Sequence, residues 1–230
     1  MRDYYTRILT ATYAINGLLH ITAGLAGSDT LAFVTKFFII PLLLLICYVN
    51  LSKTASGLKW FLITGLLFSW CGDILLEFSG GMMFIMGLAA FLLAQLSYLS
   101  LFLKTKGGNA LASRRWYFLV PVVISGIILA GVLYNHLGNM RLPVLMYTLV
   151  IMSMLAAAIN RIEKVPKASY IPVLAGSILF VMSDSAIAVN KFLIAFNWSS
   201  VVVMTTYISA QYLITTGVIK QFSRGVNETG

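Results

Sequence analysis

The chain has 230 residues, of which 60% are apolar and only 10% charged, and its mean hydropathy is +0.92. Soluble domains carry about 25% charged residues, so this composition excludes an ordinary water-soluble fold and indicates an all-α, polytopic membrane protein. The net charge of +9 does not indicate nucleic acid, because its carriers cluster in short joints between apolar runs.

A membrane-spanning helix needs roughly 20 apolar residues. Eight such runs follow one another, at about 5–26, 31–51, 58–77, 81–103, 116–134, 142–162, 170–190 and 199–220. Together they read as a single integral-membrane domain over 1–230. The first run carries His20, with Asn16 one turn before it, and Arg2 and Arg7 precede it without a cleavable signal pattern. The second carries Lys36, Pro41 and Cys47. The third ends in Ser69-Trp70-Cys71-Gly72-Asp73-Ile74-Leu75-Leu76-Glu77 and the fourth carries Ala94-Gln95. The seventh run contains Ser183-Asp184-Ser185 and ends near Asn190-Lys191-Phe192, and the eighth carries Tyr207 and Ala210-Gln211. An Asp-bearing run followed by an Ala-Gln run therefore occurs twice. Cys47 and Cys71 read as small core residues, without disulfide or metal chemistry.

The joints set the expected topology. Eight crossings put both termini on one side. That side collects Arg2, Arg7, Lys53, Lys59, Lys104, Lys106, Arg114, Arg115, Arg161, Lys164, Lys167, Lys220 and Arg224, which is 13 of the 16 basic residues. Lys36, Arg141 and Lys191 remain on the other. The positive-inside rule then makes both termini cytoplasmic, with the basic joints serving as anchors for anionic headgroups.

Counted at 1.5 Å per residue from the cytoplasmic ends, Asp73, Asp184, Lys36, His20 and Tyr207 all fall at about 20–22 Å, with Gln95 and Gln211 lower at about 12–14 Å. The expectation is one shared cavity in the outer half of the bilayer. A carboxylate at membrane depth costs several kcal/mol unless it has a partner, so Asp73 and Asp184 read as functional. Glu77, one turn beyond Asp73 on the same helix face, sits near water. Lys36 reads either as a snorkelling anchor or as the neutraliser of a carboxylate or substrate phosphate. Lys191 reads as an interfacial anchor, His20 as an interhelical hydrogen-bonder. Tyr98, Tyr147, Tyr207 and Tyr212 suit packing or interfaces. Gly72, Gly87 and Gly176 allow helices to approach closely.

Zincin, nucleophile-elbow and phosphate-loop motifs are missing from the sequence, and so are paired cysteines. Carboxylate acid–base chemistry without metal or cofactor is therefore the expected mode, one carboxyl protonating while the other stabilises positive charge. Paired intramembrane acids also fit a proton-coupled transporter, and a non-catalytic lipid-binding protein is a third reading.

Gly72-Asp73, Phe84-x-x-Gly87-x-x-x-Phe91-Leu92-Leu93-Ala94-Gln95 with Tyr98, Gly176-x-x-x-Phe180-x-x-Ser183-Asp184-Ser185 through Asn190-Lys191-Phe192, and Tyr207-x-x-Ala210-Gln211 together resemble the YhhN-like membrane family. Many members have Ala-His at Ala94-Gln95 and Lys-Pro where this chain has Lys36-Phe37. The family includes lysoplasmalogenases, which hydrolyse the vinyl ether of lysoplasmalogens to a fatty aldehyde and a glycerophospho-base. The resemblance implies that Asp73 and Asp184 are the catalytic carboxylates and that Lys36 matches a basic residue of the second span. Glu77, Gln95, Tyr207, Gln211, His20 and Asn190 would then support or bind substrate, and Lys36 or Arg141 would meet the phosphate. The implied partners are lysoplasmalogen or lysophospholipid and the surrounding membrane lipids. The expected location is a bacterial inner membrane.

Overall fold

A computed structural model describes residues 1–52, 54, 56–105 and 116–225. The described residues form eight α-helices and no strand: α1 (Arg2–Leu25), α2 (Asp29–Leu51), α3 (Lys59–Leu75), α4 (Gly81–Leu103), α5 (Val120–Tyr134), α6 (Arg141–Ile159), α7 (Lys167–Phe192) and α8 (Ser199–Gly225). Short 3-10 turns, Trp116–Leu119 and Gly138–Met140, lead into α5 and α6. Seven of the helical segments are long and apolar enough to cross a membrane. The exception, α3, has 17 residues, about 25 Å of helix, and is lengthened at both ends by tight turns.

Local chemistry explains the boundaries. Gly27 ends α1 with φ +68°, and the Ser28 and Gly27 amides donate back to Ala23 and Gly24. This Schellman closure needs a residue that tolerates left-handed backbone. Pro41 lies inside α2 and has no N–H for the Phe37 carbonyl one turn earlier. The Trp70 indole of α3 donates to that carbonyl at 3.0 Å, so a broken helical bond becomes a tie between α2 and α3. Inside a bilayer such a freed carbonyl must find a protein partner.

The helices pack mainly as sequential pairs, α7 with α8, α3 with α4 and α1 with α2, while α8 also touches α1, α2 and α3. Glycines set the spacing within two of these pairs. A Cβ on Gly176 would lie 2.8 Å from the Ala210 carbonyl oxygen of α8 and 3.0 Å from the Ile214 nitrogen. On Gly72 it would lie 2.6 Å from the Phe91 ring, and on Gly87 2.7 Å from Leu76. These approaches match the role expected of small residues between membrane helices. Large apolar side chains such as Ile127, Ile128, Leu142 and Leu149 are exposed on the outside, as a lipid-facing surface requires.

Two expectations are corrected. Cys47 is buried but Cys71 is exposed, because it lies on the outer side of α3 while its neighbour Gly72 meets α4. Arg161 is not a headgroup anchor. It is fully buried, stacked over Phe102 at 5.0 Å, and donates from Nη2 to Ser169 Oγ (3.1 Å) and Gln221 Oε1 (2.7 Å). It lies near the C-terminal ends of α4, α6 and α8, where unpaired carbonyls favour a cation. Glu77 occupies the closing turn after α3, which ends at Leu75, and lines the same notch as Asp73. Of the basic joint residues, Lys53, Lys106, Arg114 and Arg115 lie outside the described residues.

Candidate active site

The Ser183-Asp184-Ser185 segment divides its work around the α7 helix. Successive residues point about 100° apart, so the three side chains meet different neighbours. Ser183 is fully buried and donates to the Val203 carbonyl of α8 at 3.1 Å. Asp184 and Ser185 face the other way, into a cleft between α4, α5, α6 and α7. With its open mouth included, the cleft encloses about 630 Å³ not occupied by atoms. Its walls are apolar, with Phe84, Leu88 and Phe91 on one side and Leu129, Leu133, Val144 and Ile151 on the other. Asp184 Oδ2 accepts hydrogen bonds from the Tyr147 hydroxyl of α6 and from Gln95 Nε2 of α4 at 3.4 Å. Gln95 is fully buried, and its Oε1 has no donor among the described residues.

Asp73 is also buried, but in a different setting. Its Oδ2 accepts from the Tyr207 hydroxyl of α8 at 2.7 Å. It lines a small notch with Phe33, Lys36, Phe37, Ile74 and Glu77. Lys36 Nζ lies 2.8 Å from Glu77 Oε2, with both side chains only partly exposed. The lysine and Asp73 are close enough to interact electrostatically. One turn below, Gln211 Nε2 donates to Ser69 Oγ (2.9 Å), and Gln211 Oε1 accepts from the Tyr98 hydroxyl (2.8 Å). Both amide groups are thereby satisfied.

Read together, the two settings show a crosswise arrangement. The helix after Asp73 supplies Gln95 to Asp184, and the helix after Asp184 supplies Tyr207 to Asp73. The single shared cavity expected from depth alone is instead two compartments. Phe91 lines the cleft and packs edge to face with the Tyr207 ring that holds Asp73, centroids 5.9 Å apart. Helical depth reports height in the membrane and is silent on azimuth, which is why one layer contained two sites.

The remaining candidates fall outside this pair. His20 is buried in α1, and its Nδ1 lies 3.0 Å from the Ala32 carbonyl and 3.1 Å from Thr35 Oγ1 of α2. Asn16 donates to the Thr35 carbonyl at 2.8 Å. Asn190 Oδ1 accepts from the Phe196 amide at 3.1 Å and shapes the turn after α7. Tyr147, which by sequence suits packing or an interface, donates to Asp184. Neither its spacing nor its neighbours distinguish it in sequence, because the partner lies 37 residues away. Among the described residues, none of the His, Cys, Asp and Glu side chains form a metal-binding group.

A pair of buried acids, each held by a tyrosine on one side of a helical bundle, invites comparison with known proteins. The sequence profile of the YhhN family matches residues 31–218. The chain belongs to the YhhN family. The match covers α2 to most of α8 and leaves out α1, so His20 and Asn16 lie beyond the matched stretch. A Mycobacterium bovis protein named lysoplasmalogenase is 30% identical over 162 residues, 69% of this chain and 60% of its own length. Lysoplasmalogenase TMEM86A of Bos taurus is 30% identical over 69% of this chain and 65% of its own. Lysoplasmalogenase TMEM86B of Sus scrofa is 31% identical over 180 residues, 78% of this chain and 72% of its own. The chain thus spans less than two thirds of the mycobacterial and bovine relatives. No solved structure matches it. With its apolar helices, this YhhN-family chain is an integral membrane protein.

Proposed function

We propose that this chain is an intramembrane ether hydrolase that cleaves the vinyl ether of a lysoplasmalogen, releasing a fatty aldehyde and a glycerophospho-base. The observation that carries this reading is Asp184, a carboxyl set into an apolar cleft by Tyr147 and Gln95. The relatives' names agree with it. The alkenyl chain lies among Phe84, Leu88, Leu129 and Ile151, with its enol ether at Asp184.

The chemistry follows from the hydrogen bonding. Oδ2 of Asp184 takes both protein donors, so Oδ1 is the oxygen free to carry a proton. That proton passes to the β-carbon of the vinyl ether, and the π electrons form the new C–H bond. The ether oxygen's lone pair then stabilises an oxocarbenium ion, as in glycoside cleavage. The Asp184 carboxylate left behind and the Asp73 carboxylate stabilise that cation, an interaction strengthened where water is excluded. Water adds to the cationic carbon and its proton returns to a carboxylate. The hemiacetal collapses to aldehyde, and the ether oxygen leaves as the glycerol hydroxyl.

Aldehyde release from a lysoplasmalogen by purified protein, beside an acyl lysophospholipid and a saturated alkyl ether, tests the activity. Only the first is expected to turn over. In oxygen-18 water the glycerol product carries no label at the former ether position; label there would mean attack at glycerol carbon and would remove both aspartates from the mechanism. Eight crossings with cytoplasmic termini complete the proposal, supported by the 13-to-3 basic distribution. A reporter fused after Gly230 is expected to behave as cytoplasmic, and a signal from the opposite side would refute this topology.

A further inference from the structure

The Asp184 cleft has a chemically distinct mouth. Its upper wall is built from Phe84 of α4 and Phe192 of α7, whose rings meet edge to face at 6.0 Å. The Lys191 ammonium lies 5.1 Å from the centre of the Phe84 ring. Lys191 is exposed, and among the described residues no carboxylate lies within 4 Å of it. It follows Asp184 by seven residues, so the two share nearly one helix face about 10 Å apart along the axis. Side chains on a helix lean toward its N-terminus, which directs the lysine stem back toward the cleft.

The other cations proposed for phosphate are engaged elsewhere. Lys36 is paired with Glu77 at 2.8 Å and lines the Asp73 notch. Arg141 donates to the Tyr134 carbonyl at 3.3 Å and stacks over that ring, whereas Lys191 stands over Phe84, a residue of the cleft wall.

We propose that Lys191 binds the phosphate of the lipid whose chain fills the Asp184 cleft, and so sets the ether at the carboxyl. This rests on the cleft being the lipid site argued above. In a lysophospholipid the first chain carbon and the phosphorus are about six bonds apart, on the order of 7 Å at full stretch. With the chain in the cleft and the phosphate on Lys191, the lysine's own length makes up the rest of the helical separation. The Phe84 ring holds the ammonium at the mouth when no lipid is bound, through a cation–π contact that a phosphodiester outcompetes. Lys191 is then a positioning residue that selects a charged headgroup, and α7 becomes a ruler between phosphate and acid.

Binding is measured by calorimetry in detergent with two ligands that do not react, a saturated alkyl-ether lysophospholipid and the corresponding alkylglycerol without phosphate. The wild type is expected to prefer the phospholipid about tenfold, the scale of one hydrogen bond to a charged group. Lys191→Gln removes that preference with alkylglycerol affinity unchanged, and Lys191→Arg keeps it. In turnover of a lysoplasmalogen, Lys191→Gln raises KM about tenfold and leaves kcat nearly unchanged. Equal weakening of both ligands, or a preference that survives in Lys191→Gln, overturns the assignment, as does a wild type with no preference. A wild type that prefers the phospholipid yet releases no aldehyde sinks the hydrolase reading and leaves the phosphate site standing. Turnover with KM unchanged by Lys191→Gln does the reverse.

Discussion

Asp73 and Asp184 sit at corresponding points of two Asp-helix/Gln-helix pairs, each under a tyrosine hydroxyl, yet they face different surroundings. Asp184 opens onto an apolar cleft and takes both of its donors on one oxygen. Asp73 opens onto a charged notch that already contains the Lys36–Glu77 pair. The amides differ in the same way, since Gln211 is bonded at both ends while Gln95 leaves its Oε1 without a donor. The same residue types therefore make a cleft-facing acid in one half and a self-satisfied polar network in the other. What separates them is what faces each Asp: the apolar walls of α4, α5 and α6 face Asp184, whereas Lys36, Glu77 and the Tyr207 hydroxyl gather at Asp73.

The sharpest way to break this comparison is to neutralise each acid. Asp184→Asn is expected to lower aldehyde release about 10³-fold, the loss of a general acid. Asp73→Asn is expected to lower it about 10²-fold, the loss of an electrostatic partner. Equal losses in initial rates would show that the two carboxyls share one role.

Packing comes next. Gly176→Ala drives a Cβ against α8 backbone, which cannot swing aside, and is expected to destabilise by about 1–3 kcal/mol. Gly72→Ala meets only the Phe91 ring, which can turn. It should therefore cost less stability but disturb the cleft wall, and reduce turnover more than its thermal midpoint suggests. Thermal unfolding in detergent beside rate measurements separates the two; an unchanged midpoint in Gly176→Ala would contradict the close α7–α8 approach.

A smaller effect distinguishes the tyrosines. Tyr147→Phe removes one of two donors from Asp184 and is expected to lower kcat about tenfold, in line with a hydrogen bond to a charged group. Tyr207→Phe should do less, because Asp73 retains the nearby Lys36. The reverse order would move the acid role to Asp73. The smallest effect belongs to the ion pair. A double-mutant cycle between Lys36→Gln and Glu77→Gln is expected to give a coupling of about 1 kcal/mol or less, since both side chains reach solvent. A much larger coupling would mean that the notch is sealed from water.

Much of this was legible in the chain. The eight apolar runs became eight helices with ends displaced by only a few residues, because each boundary is marked by local chemistry such as Gly27, Gly80 or Pro166. The two acids were legible because a carboxylate within an apolar run stands out against its neighbours. Tyr147 was not, because one tyrosine among eleven gains meaning only from the helix it faces. Lys191 looked like an anchor because charge at a span's end usually is one. Its place over Phe84 depends on how α4 meets α7.

Length, hydropathy and isolated polar residues are properties of single segments, and a bilayer enforces them one helix at a time. For that reason the sequence by itself determined the helical membrane class and the approximate helix limits, and it singled out both buried carboxylates as candidates. Which way each helix turns about its own axis depends on side chains brought from other helices. Glycine contacts at Gly176 and Gly72 and the Pro41–Trp70 tie settle those rotations. Only the tertiary structure, therefore, decided that Tyr207 serves Asp73, that Gln95 and Tyr147 serve Asp184, and that a single layer of acids is divided into a notch and a cleft.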